Sequence, residues 1–187
     1  MDSYIQISKL NDFIFCPYSL YVHSVYENYG KFDYQSKFQF NGSLNHKNID
    51  GNMYSTSKYI FQGMSVFSDE YNLCGKIDLL NVKNHKLIER KYNITKIYQG
   101  YIYQLWGQYV CLIEMKYKIE SIEIYSLKNN KSYNIDIPTY DDLRQFKDFL
   151  IDIENFDPIN STIKTNRNKC NKCIYSKLCL NSNATNK

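Results

Sequence analysis

Long apolar runs are missing from this sequence, and so is the basic-then-apolar N-terminus of a signal peptide. These two absences predict a cytoplasmic protein with no membrane partner. Internal repeats are also missing, as is the Gly-rich loop ending in Lys-Ser/Thr that binds phosphate in P-loop enzymes such as helicases. The 187 residues fit one domain with an ordinary apolar core.

Acidic residues are absent from the C-terminal end. After Asp157 the chain has six basic residues and no acidic one, whereas 17 basic and 19 acidic residues lie up to that point. A basic end on a slightly acidic body is typical of a phosphate-facing surface. A merely solvated basic tail has the same charge pattern, so the net charge of +4 leaves both interpretations open.

Apolar spacing divides the chain into helical and strand-like segments. Helical periodicity covers three segments: residues 4–29 with a break at Cys16-Pro17, 98–116, and 140–154 with Thr139 or Asp141 as its cap. Strand-like patterns cover five: 58–67, 72–82, 87–92, 118–127 and 132–137. The tail from residue 158 is expected to be a loop. This order predicts an α/β or α+β core with a mixed sheet.

Three of the six cysteines fall within ten residues of the polar tail. Closely spaced thiolates can bind one metal centre, and this tail has almost no apolar surface of its own to fold around. Cys16, at the helix break, is the preferred fourth ligand, because Cys74 and Cys111 lie in apolar stretches typical of a core. The predicted ligands are therefore Cys16, Cys170, Cys173 and Cys179. Their spacing allows either zinc or iron–sulfur.

A second cluster combines two carboxylates with a lysine. Asp78 interrupts an apolar strand, where an aspartate is costly unless it is paired or binds a cation. Glu89 and Lys91 alternate onto one face of the partner strand. Such a set would hold Mg²⁺ or Mn²⁺ and activate a water for phosphodiester hydrolysis. An ordinary ion pair on a solvated face is the alternative.

Further polar residues extend this candidate site. Gln104 and Gln108 are four residues apart on the predicted helix, and Tyr101 precedes them by one turn. They predict a polar–aromatic stripe that contacts DNA, although the surface polarity of any helix would produce the same pattern. His46 is a candidate third metal ligand.

Several of these segments resemble the RecB-like nuclease family, whose core is defined by an Asp…Glu-x-Lys motif. The closer resemblance is to its small CRISPR-associated exonucleases, and it covers nearly the whole chain. The similar segments are residues 11–18, 42–46, 75–80, 89–91, 104–112 and the cysteine-bearing tail. Gln108 stands where a common form of the family's glutamine motif has tyrosine, and the tyrosine here is Tyr109.

The resemblance implies a restriction-endonuclease-type α/β core with a mixed sheet in one domain over residues 1–187. Residues 1–29 and 158–187 would form a subdomain around a [4Fe–4S] cluster held by the four cysteines. The implied ligands of Mg²⁺ or Mn²⁺ are His46, Asp78, Glu89 and the backbone carbonyl of Arg90. The implied catalytic residues are Asp78, Glu89, Lys91 and Gln104.

The function that the resemblance implies is a DNA exonuclease or endonuclease that processes or selects fragments for CRISPR spacer acquisition. Its expected partners are DNA with single-stranded ends or overhangs and the CRISPR integrase complex. Two alternatives are a general repair or recombination nuclease with the same core, and a non-catalytic iron–sulfur DNA-binding subunit.

Overall fold

A computed structural model describes residues 4–26 and 55–184 and shows an α/β fold with two sheets, one of three strands and one of five. The predicted α/β core with mixed strand directions is confirmed. Within these residues, no helix has both the length and the apolar character needed to cross a membrane.

Two short helices begin the described chain. β1 (Ile5–Gln6) leads into α1 (Ile7–Phe15), and α2 (Pro17–Tyr26) follows. Cys16 separates the helices in an extended conformation, and Pro17 starts α2 at the position where a missing N–H costs least. The predicted break is thus confirmed. β1 was not predicted, because two residues are too few to show a periodicity.

A long hairpin follows and bends from one sheet into the other. Its strands are β2 (Ile60–Gln62), β3 (Ser65–Ser68), β4 (Leu73–Lys76) and β5 (Leu79–Asn81). Gly63 has a φ of 61°, in the left-handed region that glycine favours, and it lies at the bend of the first arm. The predicted strands 58–67 and 72–82 are therefore each divided into two shorter strands.

The five-stranded sheet has the order β2-β5-β6-β7-β8, and the three-stranded sheet has the order β1-β4-β3. The new elements are β6 (Lys86–Lys91), α3 (Gln99–Glu114), β7 (Ser121–Ser126) and β8 (Lys131–Ile135). β6 and β7 run parallel and α3 connects them, whereas the other neighbours in this sheet are antiparallel. Parallel strands need such a crossover.

The last part of the described chain contains α4 (Tyr140–Glu154) and the four-residue helix α5 (Arg167–Cys170). Thr139 caps α4 in a capping box with Asp142, which confirms Thr139 over the alternative cap. The side chain of Asn166 caps α5 by accepting two backbone N–H groups. The predicted loop after residue 158 is therefore interrupted by one helical turn.

α1 packs closely across α3, and two glycines permit this approach. A Cβ at Gly100 would lie 2.1 Å from Oδ1 of Asn11, and one at Gly107 would lie 3.3 Å from Cδ1 of Leu10. Leu10 is fully buried. The N-terminal helix thus lies directly against the helix that carries Gln104.

Candidate functional site

Asp78 lies where the hairpin passes from one sheet to the other. β5 begins only at Leu79, which pairs with Ile88 of β6, so the same register places Asp78 next to Glu89. Asp78 is 6% exposed. The structure differs from the predicted continuous strand, because Asp78 sits at the break between β4 and β5.

Hydrogen bonds with Gly63 and Arg90 hold Asp78 in this position. The backbone N–H of Gly63 donates to the carbonyl oxygen of Asp78 at 3.2 Å. Oδ2 of Asp78 accepts the backbone N–H of Arg90 at 2.7 Å. This charge-assisted bond brings the carboxylate against the strand that carries Glu89 and Lys91.

The carboxylate of Glu89 is 1% exposed and accepts three hydrogen bonds. Its Oε1 accepts from Nζ of Lys91 and from Nε2 of Gln104, both at 2.8 Å. Its Oε2 accepts from Nε2 of Gln108 at 2.7 Å. Nζ of Lys91 also donates to Oε1 of Gln104 at 2.7 Å. A buried charge requires such partners, and here one cation and two amides supply them.

The ionisation of this pair follows from its burial. Burial raises the pKa of the Glu89 carboxyl, the Lys91 charge opposes that rise, and the Asp78 charge adds to it. For Lys91, burial disfavours the ammonium form, but the charge and hydrogen bond of Glu89 together with the charge of Asp78 outweigh this, and the pKa of Lys91 is raised. Lys91 therefore stays charged at neutral pH.

A cleft of about 740 Å³ reaches these groups from solvent. Asp78, Glu89 and Gln104 line it, together with residues of β3 and β4. Two carboxylates facing one solvent-filled space suit a hard divalent cation, which prefers oxygen ligands. Across residues 4–26 and 55–184, no three His, Cys, Asp or Glu side chains are grouped to hold one ion. The predicted ligand His46 lies outside the described residues.

The polar stripe predicted on α3 is only partly at the surface. Gln104 and Tyr101 are half-buried, whereas Gln108 is 1% exposed and contacts Glu89. Tyr109 is half-buried, and burial raises its pKa. Of Gln108 and its neighbour Tyr109, Gln108 is therefore the residue that is hydrogen-bonded to Glu89. The four-residue spacing from Gln104 was the sequence signal for this shared face.

The four predicted cysteine ligands line one cavity of about 130 Å³ between the α1–α2 break and the tail. This is roughly ten times the ~10–15 Å³ that one water needs, so the space fits a group of several atoms. Burial raises the pKa of Cys173 and Cys179, and the proximity of Cys16 and Cys170 adds to both rises. A bound metal centre would reverse this by stabilising the thiolates.

Contacts from the tail to the first two helices surround this cavity. Nζ of Lys169 donates to the carbonyl of Ile14 at 3.1 Å, and the hydroxyl of Tyr18 donates to the carbonyl of Ser161 at 2.7 Å. The ring of Tyr175 lies 5.8 Å from that of His23. The two segments therefore form one unit in space although about 150 residues separate them.

The remaining two cysteines lie elsewhere. Cys111 is fully buried, and burial raises its pKa to about 12, which confirms the prediction of a core residue. Cys74 is only half-buried and lines the cleft beside Asp78, so the prediction of a core position is wrong for this residue.

Comparison with known proteins finds a likeness among solved structures. No protein-family model matches the chain, and no curated protein matches it either. Among solved structures, the chain is similar to the one named "Crystal structure of SSO0001", with a TM-score of 0.62 and 13% sequence identity. The match covers 97% of this chain and 88% of that one. At this identity the likeness shows a shared fold and nothing about function.

Replacing Lys91 tests the electrostatics of the pair. Because the Lys91 charge opposes the effect of burial, Lys91→Met is expected to raise the pKa of Glu89 further in metal-free protein. A carboxyl group whose pKa is raised on folding favours the folded state while it is protonated, so the free energy of unfolding falls as the pH rises through that pKa. With a higher Glu89 pKa, this fall should extend to a higher pH in Lys91→Met. Carboxyl ¹³C NMR titration and urea denaturation measure the two effects.

The matched control is Lys86→Met. Lys86 pairs with Glu123 at 3.2 Å, and this pair lies on the other face of the β6–β7 ladder. Its loss should leave the titration of Glu89 unchanged. Identical Glu89 titrations in wild type and Lys91→Met would contradict the geometry described above.

Proposed function

We propose that this protein is a Mg²⁺- or Mn²⁺-dependent deoxyribonuclease with a RecB-like core. The observation that carries the proposal is the buried hydrogen-bonded set of Glu89, Lys91 and Gln104 beside Asp78 at one cleft. An ion pair on a solvated face, the alternative interpretation of these residues, does not fit a carboxylate that is 1% exposed.

In the proposed reaction, each residue has a separate task. Asp78 and Glu89 supply oxygen ligands, and the family resemblance adds His46 and the carbonyl of Arg90. A bound divalent ion supplies Lewis acidity and lowers the pKa of a water. Lys91, charged at neutral pH, orients that water or compensates the charge that develops on the phosphate. Gln104 keeps Lys91 and Glu89 in place by bonding to both.

An aromatic and cationic patch beside Lys91 supports DNA with unpaired ends as the substrate. The Tyr101 ring centroid is 5.2 Å from Nζ of Lys91, and the Tyr98 ring packs edge-on against it at 5.7 Å. Tyr98 is 51% exposed, with Nζ of Lys96 at 5.9 Å from its ring. Unpaired bases stack on such rings, and lysines neutralise phosphates.

The resemblance favours a [4Fe–4S] cluster over zinc. The cavity that the four cysteines line together with other residues of the tail and the first two helices has room for a group of several atoms. A cluster with Cys16, Cys170, Cys173 and Cys179 as ligands would join the N- and C-terminal segments. Its proposed role is to hold the basic tail in place, without taking part in hydrolysis.

The biological setting is proposed from the resemblance. It places the protein in CRISPR adaptation, where it would process or select DNA fragments for the integrase complex. A gene neighbourhood containing a CRISPR array and an integrase would support this setting over general repair or recombination.

Cleavage of DNA is the direct test. With Mn²⁺, wild-type protein should degrade DNA with single-stranded overhangs, and Asp78→Ala, Glu89→Gln and Lys91→Met should each lower the rate at least ~100-fold. Each variant removes a group needed for metal binding or charge compensation. Circular dichroism should show that the variants remain folded.

Glu123→Gln serves as the matched control for cleavage. It removes another buried carboxylate that pairs with a lysine of β6, but on the opposite face of the sheet, and should retain wild-type rates. If wild type cleaves no DNA, or if the Asp78, Glu89 and Lys91 variants cleave normally, a non-catalytic DNA-binding role replaces the proposal.

The aromatic patch makes a separate prediction about binding. In a Glu89→Gln background, Tyr98→Ala should weaken affinity for overhang DNA by ~1–3 kcal/mol, the contribution of one stacked base. Fluorescence anisotropy with overhang and blunt duplexes measures this. The control is Tyr140→Ala, because Tyr140 is an 83% exposed tyrosine on α4. This change should leave the affinities for overhang DNA and for blunt DNA unchanged. An equal loss for blunt and overhang DNA would argue against stacking of unpaired bases.

Metal content tests the cluster. Anaerobically purified protein should contain about four iron and four sulfide per chain and absorb visible light. Cys173→Ser should lose most of this iron, whereas Cys74→Ser should retain it, because Cys74 lies at the other site. One equivalent of zinc with no iron would overturn the iron–sulfur assignment.

A further inference from the structure

The hydrogen bonds of Glu89 divide its two oxygens unequally. An ionised carboxylate offers about four lone-pair directions, two on each oxygen. Lys91 and Gln104 occupy both directions on Oε1, at 2.8 Å each. On Oε2 the described structure shows one hydrogen bond, from Gln108 at 2.7 Å. The lone-pair direction that remains for a further ligand is therefore on Oε2 of Glu89.

Gln108 is oriented by this contact. A carboxylate accepts hydrogen bonds and donates none, so the amide nitrogen of Gln108 must face Glu89 and its carbonyl must face away. Nε2 also lies 3.4 Å from the carbonyl oxygen of Lys76, which is a long contact. The amide of Gln108 thus donates one strong hydrogen bond. Its acceptor is Oε2 of Glu89, the oxygen that still has a lone-pair direction for another ligand.

The bond that Gln108 donates to Glu89 stabilises the buried carboxylate, but the other end of the same amide opposes that gain. Oε1 of Gln108 is buried and has no hydrogen-bond partner among the residues that the structure describes. A buried carbonyl without a partner disfavours folding, and an apolar side chain of similar size would avoid that cost. A residue that fixes a neighbour's carboxylate and leaves its own carbonyl buried without a partner is typical of a functional site.

We infer that Gln108 is a positioning residue that presents Oε2 of Glu89 as the metal-binding oxygen. This inference rests on the proposed function, in which Glu89 binds a divalent cation. Oε1 then serves Lys91 and Gln104, and Oε2 serves the cation, so the two tasks do not compete for one oxygen. Because this chain has glutamine where the family motif has tyrosine, the inference concerns a feature of its own sequence.

The test is the affinity for Mn²⁺ in the absence of DNA, measured by isothermal titration calorimetry. Gln108→Met keeps the side-chain length and removes the donor, and should weaken Mn²⁺ binding ~10–100-fold, as loss of a partner that orients a metal ligand does. Gln99→Met, the same replacement at an exposed position of α3, should leave the affinity unchanged.

Thermal unfolding of the metal-free proteins separates positioning from a structural role. Gln108→Met is expected to unfold close to the wild-type temperature, because losing the donor to Glu89 and losing the unpartnered carbonyl have opposite effects on stability. A purely structural residue would lower that temperature and leave Mn²⁺ affinity intact. Gln108→Asn, whose amide is one methylene too short to reach Oε2, should lose affinity as Gln108→Met does. If Gln108→Met does not fold, Gln108→Asn provides the measurement.

Two outcomes overturn different statements. A folded Gln108→Met or Gln108→Asn that binds Mn²⁺ as tightly as wild type would overturn the positioning role while leaving the nuclease proposal in place. Wild-type protein that binds no Mn²⁺ at millimolar concentration would overturn the proposed function itself.

Discussion

The carboxylate of Glu89 is the constraint on which the surrounding structure depends. It is almost completely buried, and a buried charge destabilises a fold unless donors surround it. Lys91 reaches it from the same strand, and Gln104 and Gln108 reach it from α3. The crossover helix must therefore pack with one face over β6, and that packing also covers the core.

Two backbone features make this packing possible. Glycines on α3 leave room for α1 at two positions where a Cβ would crowd Asn11 and Leu10, so the N-terminal helix packs closely on the helix that carries the amides. The bend at Gly63 ends one pair of strands and begins another, and at this break the carboxylate of Asp78 accepts the backbone N–H of Arg90. The site is thus assembled from a sheet break and a helix face, and neither is a loop tip.

The cavity lined by the four cysteines joins the two ends of the described chain. Apolar side chains of the first two helices, among them Ile14, Phe15 and Val22, line it together with residues of the tail. Hydrogen bonds such as those of Lys169 and Tyr18 connect the two segments. The proposed cluster would add metal–thiolate bonds to these contacts, and the basic tail would then have a fixed position relative to the cleft.

The sequence alone was sufficient for the order of the longer helices and strands, the break at Cys16, and the grouping of Glu89 with Lys91, because each depends on local spacing. It could not show that the hairpin strands divide at Gly63, since apolar alternation continues through the bend. Nor could it tell a buried Gln108 from an exposed one, because helical spacing identifies a shared face but not what covers it. Only the tertiary structure decided that this face of α3 packs against Glu89. It placed Gln108 at Oε2, the carboxylate oxygen that still has a direction for another ligand.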